Sequence, residues 1–220
     1  SAPLIFLLRS KFAKAFVALA LFAGLGLSIT TGMVPAALCA VLAMLIVAMV
    51  TVGRLASARV ALAASLAVWF AINAIFMASS AVAASRVRSL AQTTFPNERL
   101  MDHVLSPLPV NPFCWNVILV QANENDWFIR RAALALAPRW LPAAHCPSRS
   151  DPSAGTAPVR EIEGKDQLSI EWVNELRLNR ATIAEWIERD CAPAQFMRFA
   201  RAPWLASIEN ETVLGDMRFD

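Results

Sequence analysis

Apolar residues dominate the first 85 positions and set the pattern of the whole chain. From Ala15 to Gly53, 39 consecutive residues carry no charge. As one helix they would extend about 59 Å, roughly twice a hydrocarbon core of about 30 Å. The cluster Thr-Thr-Gly-Met-Val-Pro at 30–35 is typical of a turn before a helix, because proline suits the first helical position. The pattern therefore predicts two membrane spans, at about 15–31 and 35–53.

A third apolar run follows the short basic connection between Arg54 and Arg59 and covers about 60–85. Its 26 residues would form a helix of about 39 Å, more than a hydrocarbon core requires. We expect this span to tilt or to continue a turn or two towards Gln92, with Pro96 as its end. The sequence thus predicts three transmembrane helices in a membrane domain over 1–88, followed by a small domain over 89–220.

Basic residues near the span ends predict the orientation. Three of them precede span one and two join spans two and three, whereas the loop between spans one and two is uncharged. Lysine and arginine in short loops are retained on the cytoplasmic side, so the domain over 89–220 is predicted to be extracytoplasmic. All 17 acidic residues lie after position 85, within that domain. No long basic face with interleaved aromatic residues appears, which excludes a typical nucleic-acid-binding protein.

The spans offer packing surfaces and little chemistry. In span one, small residues recur at intervals of four, a spacing that lets another helix approach closely; they are Ala20, Gly24, Ser28 and Gly32. Asn73 in span three is expected to hydrogen-bond to a neighbouring helix. The spans contain no histidine, aspartate, glutamate or lysine. We therefore predict no cofactor, proton relay or metal site there, and expect anchoring and helix packing instead.

The domain over 89–220 mixes strand and helix patterns, so an α+β fold is predicted. Bulky residues at 115–121 and 127–135 flank the turn-forming cluster 123–126, which is typical of a β-hairpin. Near the end of the chain, strands are predicted at 195–201, 204–208 and 212–219.

Between these hairpins the pattern is less regular. Residues 135–164 include five prolines and are predicted to form a long loop without a core of its own. Residues 168–176 fit either a strand or a helix. Thr182 and Glu185 have the spacing of a capping box before an apolar helical face that ends ahead of Pro193.

Three cysteines fall in the predicted extracytoplasmic domain, where oxidation is permitted. Cys114, Cys146 and Cys191 are candidates for one disulfide, and the sequence does not identify the pair. His145 beside Cys146 lacks a second ligand pair at a zinc-like spacing. No metal-binding residue is therefore predicted.

Other polar residues are interpreted as structural. Asp102 and His103 are adjacent and Ser106 follows, but adjacent side chains rarely adopt catalytic-triad geometry. Glu161 and Glu163 read as solvated surface charges, and Asp216 with Arg218 as an ion pair. We predict no catalytic residue in this chain.

Several short motifs resemble one protein family. They are Pro107-Leu-Pro-Val-Asn-Pro-Phe-Cys-Trp115, Phe196-Met-Arg-Phe199, Trp204 and Leu214-Gly-Asp-Met-Arg-Phe219. This set is similar to the C-terminal half of the bacterial inner-membrane metal-dependent hydrolases of the YdjM-like type, over roughly 61–220. The resemblance implies further spans, a small β-rich domain, and a histidine motif of the form His-Arg-Gly-x-Thr-His-Ser in the N-terminal half. That motif is absent, and neither His103 nor His145 matches it, so no metal ligand carries over.

The sequence is consistent with three functional interpretations. The first is a non-catalytic accessory or structural subunit of a larger membrane complex, in contact with the lipid bilayer and other membrane subunits. The resemblance places such a protein in the bacterial inner membrane, multi-pass, with a periplasmic C-terminal domain. The alternative is a membrane-bound metal-dependent hydrolase whose metal-binding half lies upstream of this chain. A third is a substrate- or lipid-binding module that uses the proline-rich loop as a lid.

Overall fold

A computed structural model describes residues 23, 24, 26, 34–108, 111–147, 159–162, 165–189, 191–208 and 211–219. The chain divides into two compact units, 1–79 with 109–112, and 80–108 with 113–220. The predicted span at 15–31 lies almost wholly outside the described residues, and so do Ala20, Ser28 and Gly32; Gly24 is helical. The predicted domain boundary after 88 stays a prediction.

Two long helices match the second and third predicted spans. Helix α1 covers Ala36–Leu55 and α2 covers Ala58–Thr94, and both are long and apolar enough to cross a membrane. In each, only 11% of the most apolar 18-residue window is buried inside the protein, whereas the core helix of a soluble protein would be mostly buried. On α2, large apolar side chains are exposed, among them Trp69, Phe70, Ile72, Ile75 and Met77.

Polar side chains in these helices bond to their own backbone. Thr51 and Ser65 each donate through the hydroxyl to the carbonyl four residues earlier, at 2.9 Å. The Asn73 amide donates to the Trp69 carbonyl at 2.8 Å, within α2 rather than across to another helix as expected. Such i−4 bonds satisfy a polar group without a partner helix.

The second unit is built on a five-stranded sheet of order β1-β2-β3-β5-β4. The strands are β1 (Arg99–Leu108), β2 (Asn111–Ala122), β3 (Asp126–Ala135), β4 (Arg160–Glu161) and β5 (Ile170–Asn179). Strands β2 and β3 pair antiparallel across the predicted turn, which confirms that hairpin. The ambiguous segment 168–176 lies largely in β5, where alternate side chains are buried in the regular two-residue period of a strand.

The last turns of α2 cover one face of this sheet. Ala83, Val87, Ala91 and Phe95 recur every four residues and form one buried stripe. They pack against large side chains of the central strands, including Trp115, Leu119, Leu134, Ile170 and Trp172. Because Ala83 and Ala91 have small side chains and no exposed surface, the helix can lie close to the sheet. One helix therefore supplies both an exposed apolar segment and part of the domain core.

The C-terminal elements add a second core. They are α3 (Arg180–Arg189), α4 (Cys191–Phe196) and an antiparallel pair, β6 (Pro203–Ile208) and β7 (Glu211–Asp216). Trp204 and Met217 pack here with Val120, Ile129 and Leu176 from the sheet. Since Leu119 belongs to the α2 side and Val120 to this one, the two cores occupy opposite faces of the sheet.

Two local predictions in this region are wrong. Residues 195–201 do not form a strand, because α4 runs through Phe196 and a turn follows to Phe199. Pro193 lies in the first turn of α4, where its missing N–H costs no helical hydrogen bond. Thr182 does not cap α3 either. The helix begins earlier, and the side-chain oxygen Oδ1 of Asn179 accepts the backbone N–H groups of Ala181 and Thr182.

Part of the proline-rich segment belongs to the domain core. A 3₁₀ turn covers Ala143–His145, and Leu141, Ala143 and Cys146 are buried against Cys114 and Ala135. The expectation of a loop without a core is therefore wrong for 141–146. Residues 148–158 of the same predicted loop lie outside the described residues.

Candidate functional site

A buried arginine organises the end of the sheet where α2 finishes. Arg130 on β3 is 2% exposed and forms ion pairs with Glu98 and Glu175. Its Nη2 donates to Glu98 Oε1 at 2.9 Å, and its Nη1 donates to Gln121 Oε1 at 2.7 Å. The guanidinium also lies 3.6 Å from the ring centroid of Phe95. A planar cation with several donors suits such an enclosed site better than lysine would.

This cluster fixes the chain as it leaves α2. Phe95 packs edge-on against Trp172 with ring centroids 5.0 Å apart, and Glu98, three residues later, is held by Arg130. The Lys165 ammonium lies 4.1 Å from the centroid of the same Phe95 ring. Both carboxylates of the cluster are committed to a buried cation. We interpret the cluster as structural rather than as a general acid–base pair, which needs a carboxylate free to exchange a proton.

The turn fixed in this way lines an open polar cleft of about 590 Å³. The cleft lies between that turn, the β2–β3 turn and the start of α3; its lining includes Asn97, Arg99, Asn123, Glu124, Asn125 and Arg180. Arg180 donates from its backbone N–H to the Asn125 carbonyl at 2.9 Å and from Nη1 to the Asn123 carbonyl at 3.2 Å. In the part of the chain that the structure describes, neither Arg99 nor Arg180 forms an ion pair with a carboxylate.

The chemistry of the cleft is that of binding. Two guanidiniums and three amides offer donors and acceptors for a polar, negatively charged surface. Among the described residues of the lining, Glu124 is the one carboxylate, and it is exposed on a turn. The described lining is thus made mainly of arginine and asparagine side chains, which suit the recognition of a polar surface.

A second polar network joins the C-terminal hairpin to β1. Arg201 donates to both carboxylate oxygens of Asp102, at 2.8 and 2.7 Å. Its backbone N–H donates to Asp216 Oδ2 at 3.0 Å, and Arg218 pairs with the same carboxylate at 2.7 Å. The predicted ion pair between Asp216 and Arg218 is thus present. Hydrogen bonding from Arg201 lowers the pKa of Asp102 below its usual value.

His103 takes no part in a triad. The Asp102 carboxylate faces Arg201 and accepts the backbone N–H of His103 at 2.8 Å, so it does not orient the imidazole. Burial, and then the positive charge of Arg88, lower the pKa of His103 below its usual value. Ser106 is exposed on β1. The adjacent Asp-His pair is therefore part of the network that attaches the hairpin.

The structure pairs Cys114 on β2 with Cys146 after the 3₁₀ turn, with Cα atoms 5.6 Å apart. Cys191 is exposed and outside any disulfide; Cys39 is buried in α1, near the Val34 carbonyl. Since Cys146 is oxidised, it cannot join its exposed neighbour His145 as a metal ligand. Among the described residues, no group of three or more histidine, cysteine or acidic side chains could hold a metal ion. Glu161 is exposed on β4, and Glu163 lies outside the described residues.

Sequence reasoning missed the Arg130 cluster and the cleft. Glu98, Gln121 and Glu175 are far from one another in the sequence. Strand pairing brings Gln121 and Glu175 to Arg130, and the path of the chain after α2 brings Glu98. One signal was present: two adjacent arginines, Arg130 and Arg131, interrupt the apolar run 127–135. Because neighbouring side chains on a strand point to opposite faces, at least one of them requires a partner if both faces are buried. No equivalent signal marks the cleft, because its lining residues are common in turns.

Three of the four motifs behind the family resemblance meet at the C-terminal hairpin, whereas Trp115 of the fourth lies on β2 in the core on the α2 side. Trp204 lies opposite Gly215 across the β6–β7 pair, and Arg218 donates to the Phe199 carbonyl at 3.0 Å. No family model, curated protein or solved structure matches the chain. The resemblance to the YdjM-like hydrolases therefore stays a prediction.

Proposed function

We propose that this chain is a non-catalytic accessory subunit of a larger membrane complex. In this role the apolar helices anchor it in the bilayer, and the sheet domain presents a contact surface to partner subunits outside the cytoplasm. The observation that carries the proposal is α2, a single helix with exposed apolar side chains over 69–77 and a stripe buried under the sheet over 83–95.

Two observations support an extracytoplasmic sheet domain. The Cys114–Cys146 disulfide is typical of an oxidising compartment. Arg54 and Arg59, which lie at the junction of α1 and α2, favour a cytoplasmic connection between these helices. With α2 crossing once, the domain after it would emerge on the opposite side, which in the bacterial inner membrane is the periplasm.

The polar cleft is the surface that we assign to the partner. Arg99 and Arg180 lie without a carboxylate counter-ion in the described part of the chain, so an acidic patch on a partner subunit would complete them. Charged residues at the rim of an interface mainly govern association rate and specificity. We therefore expect charge reversal to affect partner binding more than folding.

Purification in mild detergent tests the proposal. The wild-type chain should bring down stoichiometric partners, and Arg99→Glu with Arg180→Glu should lose them while keeping the same thermal unfolding midpoint. Arg198→Glu, at an exposed site outside the cleft, is the matched control and should retain them. A wild-type chain that purifies alone and monodisperse would refute the subunit assignment.

The second candidate is a membrane-bound metal-dependent hydrolase with its metal-binding half upstream of Ser1. The gathering of Trp204, Gly215 and Arg218 at one hairpin favours it, because these are residues of the resembling motifs. The encoding reading frame and metal analysis of the natural protein distinguish the two candidates. A histidine motif upstream together with bound metal would support the hydrolase. The absence of both would favour the accessory-subunit proposal.

A further inference from the structure

We infer that one edge of the sheet domain rests in the lipid headgroup region, with Trp140 and Leu168 as its contact residues. This edge, here called the α2 edge, consists of Arg86, Phe113, 136–147 and Leu168. The inference rests on the membrane anchoring proposed above. It adds a specific lipid-contact surface on a part of the chain that is outside the apolar helices.

The first step is the position of the edge along α2. Arg86 donates from Nη1 to the Leu136 carbonyl at 2.7 Å and to the Ala135 carbonyl at 3.3 Å, so the α2 edge lies beside this turn of the helix. A helix needs about 20 residues to cross a core of about 30 Å. Counted from Arg59, that crossing ends near Ser79, and the second compact unit begins at Ser80.

The second step is the distance that remains. From Ser79 to Arg86 the helix rises about 10 Å, and the headgroup region adds roughly 5–8 Å on each side of the hydrocarbon. A tilted helix would bring Arg86 closer still. Side chains that project from the α2 edge are therefore within reach of the headgroups.

The third step is the chemistry of the projecting residues. Trp140 is 52% exposed and Leu168 is 61% exposed. Met101, Phe199 and Phe219 are also exposed in this unit, but they lie outside the α2 edge. Trp140 is held edge-on against Phe113 with ring centroids 5.4 Å apart, and the Leu168 carbonyl accepts the Ala143 backbone N–H at 3.0 Å. Tryptophan is enriched at membrane–water interfaces, because its ring is apolar and its N–H is polar.

Charge agrees with this placement. Residues 136–147 include the exposed Arg139 and no acidic residue. Asp166, near Leu168 in sequence, accepts the Trp172 backbone N–H at 2.7 Å. Glu124, on the β2–β3 turn at the cleft, is exposed and lies outside the α2 edge, so it provides a reference position for the test. An edge that is apolar, aromatic and basic suits phosphate headgroups, whereas an acidic edge would be repelled by anionic lipids.

Spin-label accessibility on the full chain in lipid nanodiscs tests the inference. Cys39 and Cys191 are replaced by alanine, the disulfide is left intact, and a nitroxide is attached at Trp140→Cys, Leu168→Cys or Glu124→Cys. Power saturation with oxygen and with a water-soluble nickel complex then reports depth. We expect the oxygen-to-nickel accessibility ratio at 140 and 168 to exceed that at 124 several-fold.

Each outcome decides the question. Ratios at 140 and 168 equal to that at 124 would overturn the inference, even if other data place the helices in the bilayer. If Trp140→Cys disturbs the fold, the Leu168 label still tests the edge, because its side chain is more exposed. Failure of the chain to enter nanodiscs would instead refute the membrane anchoring itself.

Discussion

Gly215 offers the sharpest test of how the C-terminal hairpin is packed. It lies on β7 opposite Trp204 on β6, and the Trp204 side chain is 4% exposed. A Cβ added at Gly215 would lie 2.2 Å from Trp204 Cε2 and 2.4 Å from Cζ2, where ordinary contact begins at 3.4 Å. The backbone of Gly215 is not in the left-handed region, so the cost of a side chain there arises from space alone.

The indole cannot easily withdraw to make that space. Its buried neighbours include Ile129, Leu178 and Met217, which close the same core. Overpacking of a closed core costs about 1–3 kcal/mol. For a chain of this size, each kcal/mol lowers the unfolding midpoint by about 2–4 °C. We therefore expect Gly215→Ala to lower the midpoint by several degrees in thermal unfolding followed by tryptophan fluorescence.

A double-mutant cycle separates this clash from a general effect of alanine. Trp204→Leu removes the ring atoms that would meet the new methyl group, so Gly215→Ala in that background should be neutral or slightly stabilising. Alanine in a strand is better than glycine by about 0.5–1 kcal/mol when space permits. Equal destabilisation by Gly215→Ala in both backgrounds, or none in the wild type, would refute the packing argument.

Three further changes have defined outcomes. Arg130→Met should cost about 3–5 kcal/mol of unfolding free energy, because two partly buried carboxylates lose their cation. In contrast, Arg189→Gln, which removes the exposed ion pair with Glu185, should cost less than about 0.5 kcal/mol. Equal costs would contradict the role given to Arg130. Replacing Cys114 and Cys146 by serine should cost about 2–4 kcal/mol for a separation of 32 residues, and reductant should then leave the variant unchanged while it destabilises the wild type. The folded-state pKa of Asp102 lies below its ordinary 3.8, so its pair with Arg201 stabilises the fold above that pH and loses this effect as the pH falls through the folded-state pKa. Asp102→Asn should therefore make the thermal unfolding midpoint depend less on pH between about pH 5 and 2. A pH dependence equal to that of the wild type would refute this role of the pair.

The elements that the sequence predicts well are those with strong local patterns. The helices at 35–53 and 60–85 rest on long apolar runs, and the hairpin across 123–126 rests on bulky residues around a turn cluster. Strand β1 was missed, since it carries Asp102, His103 and Pro107 and no clear alternation. It is a strand at the edge of the sheet, where polar residues and proline are tolerated.

The candidate site was largely beyond prediction because it depends on long-range pairing. Arg130 faces Glu175 by the register of β3 and β5, and Glu98 by the path of the chain after α2. A register one residue different would turn Arg130 to the other face of the sheet. The disulfide pairing could not be predicted for the same reason. Three cysteines were candidates, and only the position of the 3₁₀ turn beside β2 selects Cys114 with Cys146.

Helix α2 shows why an apolar run alone does not distinguish lipid from protein as a neighbour. Met77 is 75% exposed and Ala83 is fully buried, yet both belong to the same uncharged run in the sequence. Large apolar side chains are exposed over 69–77, whereas the stripe that faces the sheet alternates alanine with larger residues, as Ala83, Val87, Ala91 and Phe95. A sheet packed at close range requires small residues at the points of closest approach. Alanine at every second position of this stripe, rather than the end of hydrophobicity, therefore marks where this helix becomes part of the folded domain.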